Sequence, residues 1–198
     1  VEPADDLLTH LLQATVDEPG VDPRPLDVPE ILSILSQLMT AGNETTTKML
    51  TEMMRLLGEH PDQWELLKRD PSRIDRVVEE TLRLATPTQG MWRVVKNDTT
   101  LGGVPIKAGS RIIAVFSSAN RDEVLYPEPD SFDPDRDNLR LHLAFGKGIH
   151  FCLGANLSRL EGQVALQELT RRIESFSLCD TNTYDYFPSF MLRGLTKL

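Results

Sequence analysis

The chain has 198 residues, of which 40% are hydrophobic and 26% charged, so it is long enough and apolar enough to bury a sizeable core. Its formal net charge of -9 argues against nucleic acid and anionic membranes as main partners. No apolar run is long enough for a transmembrane segment, and the acidic start lacks a signal-peptide core, so we expect a cytoplasmic location. Two cysteines without a CxxC pair argue against a disulfide framework or a structural zinc site.

Helical patterns dominate the first part of the chain. A long helix is predicted from about Pro29 to Gly58, with Asp27 as its N-cap and a proline-rich link over 19–25 before it. A short helix follows over 61–68. Nearer the start, a short amphipathic stretch is formed by four leucines: Leu7, Leu8, Leu11 and Leu12.

The second part combines helix, strand and irregular chain. Ser72 and Asp75 have the spacing of a capping box that opens a helix over 73–84. Residues 93–117 are rich in β-type side chains, with turn signals at Gly102-Gly103 and Ala108-Gly109. The remaining segments are an irregular stretch over 126–143, a glycine-rich loop at 146–148, a helix over about 153–176 and a tail hairpin over 187–195. The fold class predicted is mainly α with a small β region.

Cys152 stands at the end of a glycine-rich loop. Gly146 and Gly148 permit backbone angles that other residues resist, and Cys152 is predicted at the start of the next helix, where the helix dipole favours a thiolate. The N–H groups near Leu153 and Gly154 are placed to hydrogen-bond the sulfur. No other cysteine or histidine stands at zinc spacing, so a single thiolate here suits an iron whose other ligands belong to a macrocycle.

Two other interpretations of the cysteines remain open at this point. A lone cysteine is commonly a small buried hydrophobe, and we give Cys179 that interpretation. Alternatively, His150 stands two residues before Cys152 and could activate it as a catalytic nucleophile. No asparagine or aspartate that would orient such a histidine is evident from the sequence.

The long helix carries one polar residue within an apolar face. Thr45 either bonds the carbonyl of Ala41 or has a function, and Gly42-Asn43 weakens the helix enough for a local opening. Glu44 lies beside this face, on a polar stripe that is either solvated or functional. The apolar or small residues of the face are Ile34, Leu38, Ala41, Gly42 and Met49.

The cysteine segment resembles the haem-binding signature of the cytochrome P-450 family. The resemblance implies a mainly α protein with a small β region, in which residues 1–198 form the C-terminal, haem-binding half of a single cytochrome P-450 domain whose N-terminal half is absent. It also implies haem b as the cofactor and Cys152 as the axial iron ligand. The matching positions are Phe145, Gly146, Gly148, His150, Cys152 and Gly154.

The string from Ala41 to Thr46 resembles the oxygen-binding helix motif of the same family. By that resemblance, Ala41 and Gly42 lie against the cofactor and Gly42 leaves room for dioxygen. Thr45 holds the oxygen and its water, and Glu44 relays protons towards it. Cleavage of the O–O bond requires protons within a site otherwise kept dry, which a hydroxyl and a carboxylate can deliver.

Two further segments resemble family elements that support the haem loop. Glu80 to Arg83 resembles the ExxR element, and the stretch 133–136 resembles the meander that adds a basic partner, Arg136. The resemblance implies a buried cluster with a structural role, whereas the spacing alone is equally typical of a weak surface pair. Asn120-Arg121-Asp122 also resembles a family segment that maintains the fold.

The resemblance also places contacts to the haem edge, the substrate and the electron donor. Arg93 and His150 match positions that contact the haem propionates. A ferredoxin-type donor is expected to dock near Lys147, since the chain carries no flavin or iron–sulfur motif. The expected ligand is an apolar small molecule, and the substrate-facing residues are Leu38, Gln89, Gly90, Met91, Phe190 and Met191.

Three hypotheses therefore compete on the sequence. The first is a haem-thiolate monooxygenase that is active when complete. The second is a truncated fragment without independent activity, since the resemblance covers only the C-terminal half of family members and the chain alone would expose a large apolar surface. The third is a thiol enzyme that uses Cys152 and His150.

Overall fold

The computed structural model describes residues 4–17, 19–20 and 22–198 of the chain. It contains two compact units, one ending at Glu44 and the other extending from Thr45 to Leu198, so the boundary falls within the longest helix. The helices are α1 (Leu7–Gln13), α2 (Val28–Glu59), α3 (Pro61–Arg69), α4 (Ile74–Ala85), α5 (Phe116–Ala119) and α6 (Ala155–Arg172). The strands are β1 (Thr15–Val16), β2 (Arg24–Pro25), β3 (Gly90–Val94), β4 (Thr99–Leu101), β5 (Val104–Ile106) and β6 (Arg111–Val115).

The first unit is held mainly by local polar contacts. The Asp6 carboxylate accepts a hydrogen bond from the Thr9 N–H at 2.8 Å and caps α1, none of whose residues is buried. Helix α2 starts with a reciprocal capping box, because the Asp27 side chain accepts from the Glu30 N–H at 2.8 Å and Glu30 accepts from the Asp27 N–H at 2.9 Å. Asp27 therefore has the predicted N-cap role.

Helix α2 confirms the long predicted helix, with two differences in detail. It is continuous from Val28 to Glu59, so the local opening expected at Gly42-Asn43 is not formed. Gly58 lies inside the helix and does not end it. A Cβ at Gly58 would stand 2.6 Å from the Leu178 Cγ, so the glycine makes room for that side chain.

The second unit packs its helices around one apolar core. Gly162 of α6 allows close approach, because a Cβ there would lie 3.1 Å from Val78 and 3.2 Å from Met49. Burial of these side chains accounts for most of the stabilisation of the unit, at roughly 25 cal/mol per Å² of apolar surface. The fully buried apolar core residues are Met49, Met53, Leu57, Leu67, Val77, Val78 and Leu166.

The β region consists of small antiparallel pairs. Strands β3 and β6 pair with Trp92 opposite Ile113, and β4 and β5 form a hairpin with Leu101 opposite Val104. Gly102 and Gly103, with φ of 57° and 81°, form the turn of that hairpin, as predicted. The observed architecture is mainly α with a small β region.

Two predicted boundaries are wrong, each for a physical reason. Arg73 caps α4 without a side-chain hydrogen bond, because Ser72 donates instead to Asp70 within a 3₁₀ turn. Helix α6 ends at Arg172, and the apolar residues after it pack against the core in extended chain. The tail closes on itself as predicted, through an antiparallel bridge between Tyr186 and Leu195 and a hydrogen bond from the Phe187 N–H to the Gly194 carbonyl at 3.0 Å.

Candidate functional site

The residues 145–154, called here the cysteine loop, present Cys152 on a tight turn. The Cys152 N–H donates to the Phe145 carbonyl at 2.9 Å and closes the loop on itself. Gly146 and Gly148 have φ of 67° and 75°, a left-handed conformation that strains any residue with a Cβ. The Cys152 thiol is free and exposed, and so is the Cys179 thiol, so the interpretation of Cys179 as a buried hydrophobe is wrong. Helix α6 begins at Ala155, two residues later than the predicted start at about 153, so Cys152 precedes the helix and is not part of it.

The donor set of the cysteine loop fits a haem. Within the described parts of the chain, no group of three or more His, Cys, Asp or Glu side chains is placed to hold a metal ion. Cys152 offers a single thiolate, which suits an iron whose remaining ligands belong to a macrocycle. Leu153 beside it is 90% exposed and Phe151 is half-exposed, so apolar surface of the kind that a flat apolar ring would cover adjoins the thiol.

The apolar surface continues along α6. Leu157, Leu160 and Val164 follow one another at spacings of three and four residues, so they share one face of the helix, and each is about half-exposed. A contiguous apolar surface of this kind favours association in water. The structure therefore carries the exposed apolar surface that the sequence predicts for the chain alone.

Glu80, Arg83 and Arg136 form the predicted charged cluster. The Arg83 guanidinium donates to both carboxylate oxygens of Glu80, at 2.7 and 2.8 Å, and both side chains are fully buried. The Arg136 Nε donates to the same carboxylate at 3.2 Å. Arg83 also donates to the carbonyls of Asn120, Pro129 and Ser131, which ties α4 to the irregular segment after α5.

Asn120 connects this cluster to the chain that enters the cysteine loop. Its amide oxygen accepts from the Leu143 N–H at 2.6 Å, and its amide nitrogen donates to the Thr86 hydroxyl at 2.8 Å. The side chain is fully buried, so both bonds form in an environment where an unmade bond is costly. This agrees with the fold-maintaining role expected for the segment 120–122.

A second buried cluster was missed by the sequence analysis. The Glu79 carboxylate accepts from Arg159 Nε at 2.5 Å and Nη2 at 3.2 Å, and from His142 Nε2 at 3.0 Å. Burial raises the pKa of Glu79, but the hydrogen bonds from His142 and Arg159 outweigh burial and lower it to about 2. The partners lie 63 and 80 residues away from Glu79 in sequence, so no local spacing indicates this cluster. The only signal in the sequence is that two glutamates, Glu79 and Glu80, stand side by side on a predicted helix.

The residues predicted to contact the haem edge lie on exposed chain. Arg93 is exposed on β3, where its Nη1 donates to the Trp92 carbonyl at 2.8 Å. It lines a cavity of about 340 Å³ with Trp92, Val94 and Arg111. The His150 side chain is also exposed, at the end of a 3₁₀ turn within the cysteine loop.

Some of the predicted substrate-facing residues of the second unit lie close together. The Gln89 N–H donates to the Met191 carbonyl at 2.8 Å, so the link before β3 is paired with the tail. Gly90 is required at its position, because a Cβ would lie 2.5 Å from the Ala114 carbonyl oxygen. Phe190 and Gln89 share the lining of a cavity of about 270 Å³, whereas Met91 is exposed on β3 and is not part of that lining.

The predicted oxygen-side residues occupy successive turns of α2. Leu38, Ala41 and Gly42 are exposed in the first unit, and a Cβ at Gly42 would meet no atom within 4 Å. Glu44 ends the first unit and Thr45 begins the second, and both are partly buried.

The thiol-enzyme alternative requires a hydrogen bond from Cys152 to His150. Across the described residues, neither side chain takes part in a side-chain hydrogen bond. His150 ends a 3₁₀ turn, and Cys152 lies two residues later, where its N–H is bonded to the Phe145 carbonyl. The geometry gives that alternative no support.

A mainly helical fold that combines an exposed cysteine on a tight loop with a buried Glu–Arg–Arg cluster is typical of the haem-thiolate class. The sequence profile of the family described as cytochrome P-450 matches residues 72–192. The 6-deoxyerythronolide B hydroxylase of Saccharopolyspora erythraea is 39% identical over 198 residues, covering 100% of this chain and 48% of that protein. The chain belongs to the cytochrome P-450 family.

Other comparisons agree with this assignment. The steroid C26-monooxygenase of Mycobacterium tuberculosis is 36% identical over 198 residues, which are 100% of this chain and 48% of that protein. The crystal structure of CYP109E1 from Bacillus megaterium in complex with testosterone matches with a TM-score of 0.90 at 37% identity, covering 100% of this chain and 53% of that one. The chain therefore spans about half the length of the relatives it matches.

Among the described residues, every helix is too short or too polar to cross a bilayer. The cytoplasmic location stays a prediction from the sequence.

Proposed function

We propose that this chain supplies the haem-binding part of a monooxygenase that inserts one oxygen atom of O2 into an apolar organic substrate. The observation that carries the proposal is the free, exposed Cys152 thiol on a tight loop with apolar surface beside it, in a chain of the cytochrome P-450 family. Haem b, when bound, supplies the redox-active iron that activates dioxygen. The alternative of a fragment without independent activity is separated from this one by the experiment below.

The roles proposed for the loop and its surroundings follow from their chemistry. Cys152 serves as the thiolate ligand, and Phe145, Gly146 and Gly154 shape the turn that presents it. The Arg93 guanidinium and the His150 imidazole suit the two haem propionates, because both side chains are exposed and able to donate hydrogen bonds to a carboxylate. Ala41 and Gly42 leave the oxygen side of the cofactor open.

Proton delivery is proposed for Thr45 and Glu44. Both are partly buried on α2, where a hydroxyl and a carboxylate in succession can hold a water and pass a proton towards a reacting oxygen. Partial burial limits bulk water, which would otherwise divert electrons into unproductive reduction of dioxygen. Glu80, Arg83 and Arg136 are proposed to act structurally, since they tie α4 to the irregular segment after α5.

The proposed substrate is a rigid apolar molecule of steroid or macrolide type. The names of two relatives specify a steroid monooxygenase and a macrolide hydroxylase, and a third relative binds testosterone. In this chain Gln89 and Phe190 line one cavity, which combines an amide with an aromatic ring as such a molecule requires. The remaining residues proposed to face the substrate are Leu38, Gly90, Met91 and Met191.

A ferredoxin-type protein is the proposed electron donor. Lys147 is exposed on the cysteine loop and offers a positive charge close in sequence to the proposed ligand. An acidic donor that docks at this loop would deliver electrons by the shortest route to the iron.

The test is oxidation with isotopically labelled dioxygen. The haem-loaded protein, supplied with a ferredoxin, its reductase and a panel of steroids and macrolides, is expected to place one labelled atom in the product and the other in water. Thr45→Ala is expected to divert most of the consumed oxygen to peroxide, whereas Thr51→Ala on the same helix, whose hydroxyl donates to the Thr47 carbonyl, leaves the product yield unchanged. Product without label contradicts the proposal, and haem binding without turnover of any substrate favours the fragment alternative.

A further inference from the structure

The Glu79 carboxylate contacts one residue on either side of the cysteine loop. His142 lies three residues before Phe145, where the loop begins, and Arg159 lies in the second turn of α6, just after the loop ends. Both donate to Glu79, which is 1% exposed on α4. One buried carboxylate therefore joins the chain entering the loop to the helix leaving it.

The same two partners surround the ring of Phe145. The Arg159 guanidinium lies 4.7 Å from the centroid of the Phe145 ring, and the His142 ring lies 5.9 Å from it. The carbonyl of Phe145 in turn accepts the Cys152 N–H at 2.9 Å. A short chain of contacts thus runs from Glu79 through its partners to the backbone of the cysteine.

Hydrogen bonds define the protonation states within this cluster. The Ala144 N–H donates to His142 Nδ1 at 3.2 Å, so this nitrogen is the acceptor and Nε2 carries the proton that is donated to Glu79. All the partners of Glu79 are then donors: two N–H groups of Arg159 and one of His142, with Arg140 4.0 Å away. In Glu79→Gln, the amide nitrogen that replaces a carboxylate oxygen is itself a donor, so it cannot accept the N–H groups of Arg159 and His142.

We propose that Glu79 is a positioning residue that fixes the two ends of the cysteine loop and thereby determines how Cys152 ligates the haem iron. The effect on how Cys152 ligates the iron rests on the proposed function. Glu79 acts separately from Glu80, because adjacent residues of a helix point about 100° apart and Glu80 contacts Arg83 and Arg136 instead.

The test compares Glu79→Gln with Asp75→Asn. Asp75 lies one turn earlier on the same helix and accepts from Arg140 and from Gln163 of α6, so it joins the same two segments farther from the loop. Its side chain is 39% exposed and that of Arg140 is 64% exposed, so its loss is expected to have little effect on the loop. Hydrogen exchange of the Cys152 and Gly146 amides is measured in the haem-free protein, with core amides of α2 as the reference for global unfolding. Glu79→Gln is expected to speed exchange of the loop amides by at least about tenfold, the effect of losing one charge-assisted hydrogen bond.

The second readout is the spectrum of the reduced, haem-loaded protein under carbon monoxide. Glu79→Gln is expected to lower the share of the red-shifted, thiolate-type Soret band, and Asp75→Asn to leave it unchanged. If Glu79→Gln does not fold, two variants that each weaken the contact to one partner of Glu79 replace it. His142→Asn keeps the acceptor for Ala144 and removes the donor to Glu79, and Arg159→Lys keeps the charge and removes one of two hydrogen bonds.

The outcomes separate this inference from the proposed function. The inference would be overturned if Glu79→Gln had the same exchange rates of the loop amides and the same share of the thiolate-type Soret band as the unaltered protein. It would also be overturned if Asp75→Asn changed both quantities as much as Glu79→Gln does. If the unaltered protein fails to bind haem, the proposed function fails, and the exchange of the loop amides still decides whether Glu79 fixes the loop.

Discussion

Replacement of Arg83 by alanine is expected to lower the free energy of unfolding by about 3–5 kcal/mol, the typical cost of stranding one partner of a buried ion pair. Arg83 is fully buried and donates to both oxygens of Glu80 and to three backbone carbonyls, of Asn120, Pro129 and Ser131. Its removal leaves the Glu80 carboxylate with the Asp133 N–H at 3.0 Å and the longer contact to Arg136 at 3.2 Å, and it leaves the carbonyls without this donor. Urea denaturation of the haem-free protein measures the loss.

The matched control is Arg171→Ala. Arg171 pairs with Glu168 at the same three-residue spacing, but the two side chains are 64% and 46% exposed. An exposed pair contributes little because water and salt screen it, so this variant is expected to unfold at nearly the same urea concentration as the unaltered protein. Similar losses in the two variants would show that burial does not determine the strength of the Glu80–Arg83 pair.

Acidification is expected to remove on the order of 3 kcal/mol of stability through Glu79 alone. The pKa of this carboxyl falls from an ordinary value of 4.5 to about 2 in the folded protein. Between these values the unfolded chain binds the proton that the folded chain does not, so the stabilisation is complete above about pH 5 and is lost as the pH falls towards 2. Urea denaturation at a series of pH values from neutral to acid measures the loss.

Two variants show whether this loss belongs to Glu79. Glu79→Gln cannot take up the proton, so its stability is expected to vary much less between pH 5 and pH 2. Glu168→Gln removes a carboxylate that is paired on the surface, and its acid response should follow that of the unaltered protein. If Glu79→Gln and the unaltered protein lose the same free energy of unfolding between pH 5 and pH 2, a group other than Glu79 causes the loss.

Much of the fold could be predicted because its signals are local. The periodicity of α2 and its capping residues indicate both ends to within one residue, and the glycines at 102–103 indicate the hairpin turn. The cysteine loop is likewise continuous in sequence, so its glycines and Cys152 are visible as one motif.

The errors occur where distant packing decides. Gly58 is a typical helix stop, yet it lies inside α2 because Leu178 occupies the space beside it. The residues after Arg172 continue an apolar pattern, but they leave the helix and reach the core in extended chain, where Phe176 packs edge-on against Trp64 at 4.9 Å. In both cases a contact between distant parts of the chain overrides the local preference.

The two buried polar clusters also differ in how far the sequence reveals them. Glu80 and Arg83 share one helix, and their spacing indicates a pair without revealing that it is buried. Glu79 stands next to Glu80 and looks the same in sequence, but its partners His142 and Arg159 come from either side of the cysteine loop. Only the folded structure assigns the two carboxylates to different clusters.

The measurement that tests the central claim most directly is the absorption spectrum of the haem-loaded protein, reduced and exposed to carbon monoxide. Both cysteines are free and exposed, so Cys179→Ser is the matched control for Cys152→Ser. With Cys152 as the iron ligand, the red-shifted Soret band of thiolate ligation appears in the unaltered protein and in Cys179→Ser, and it is absent in Cys152→Ser. Persistence of that band in Cys152→Ser, or its absence from the unaltered protein with haem bound, would contradict the assignment.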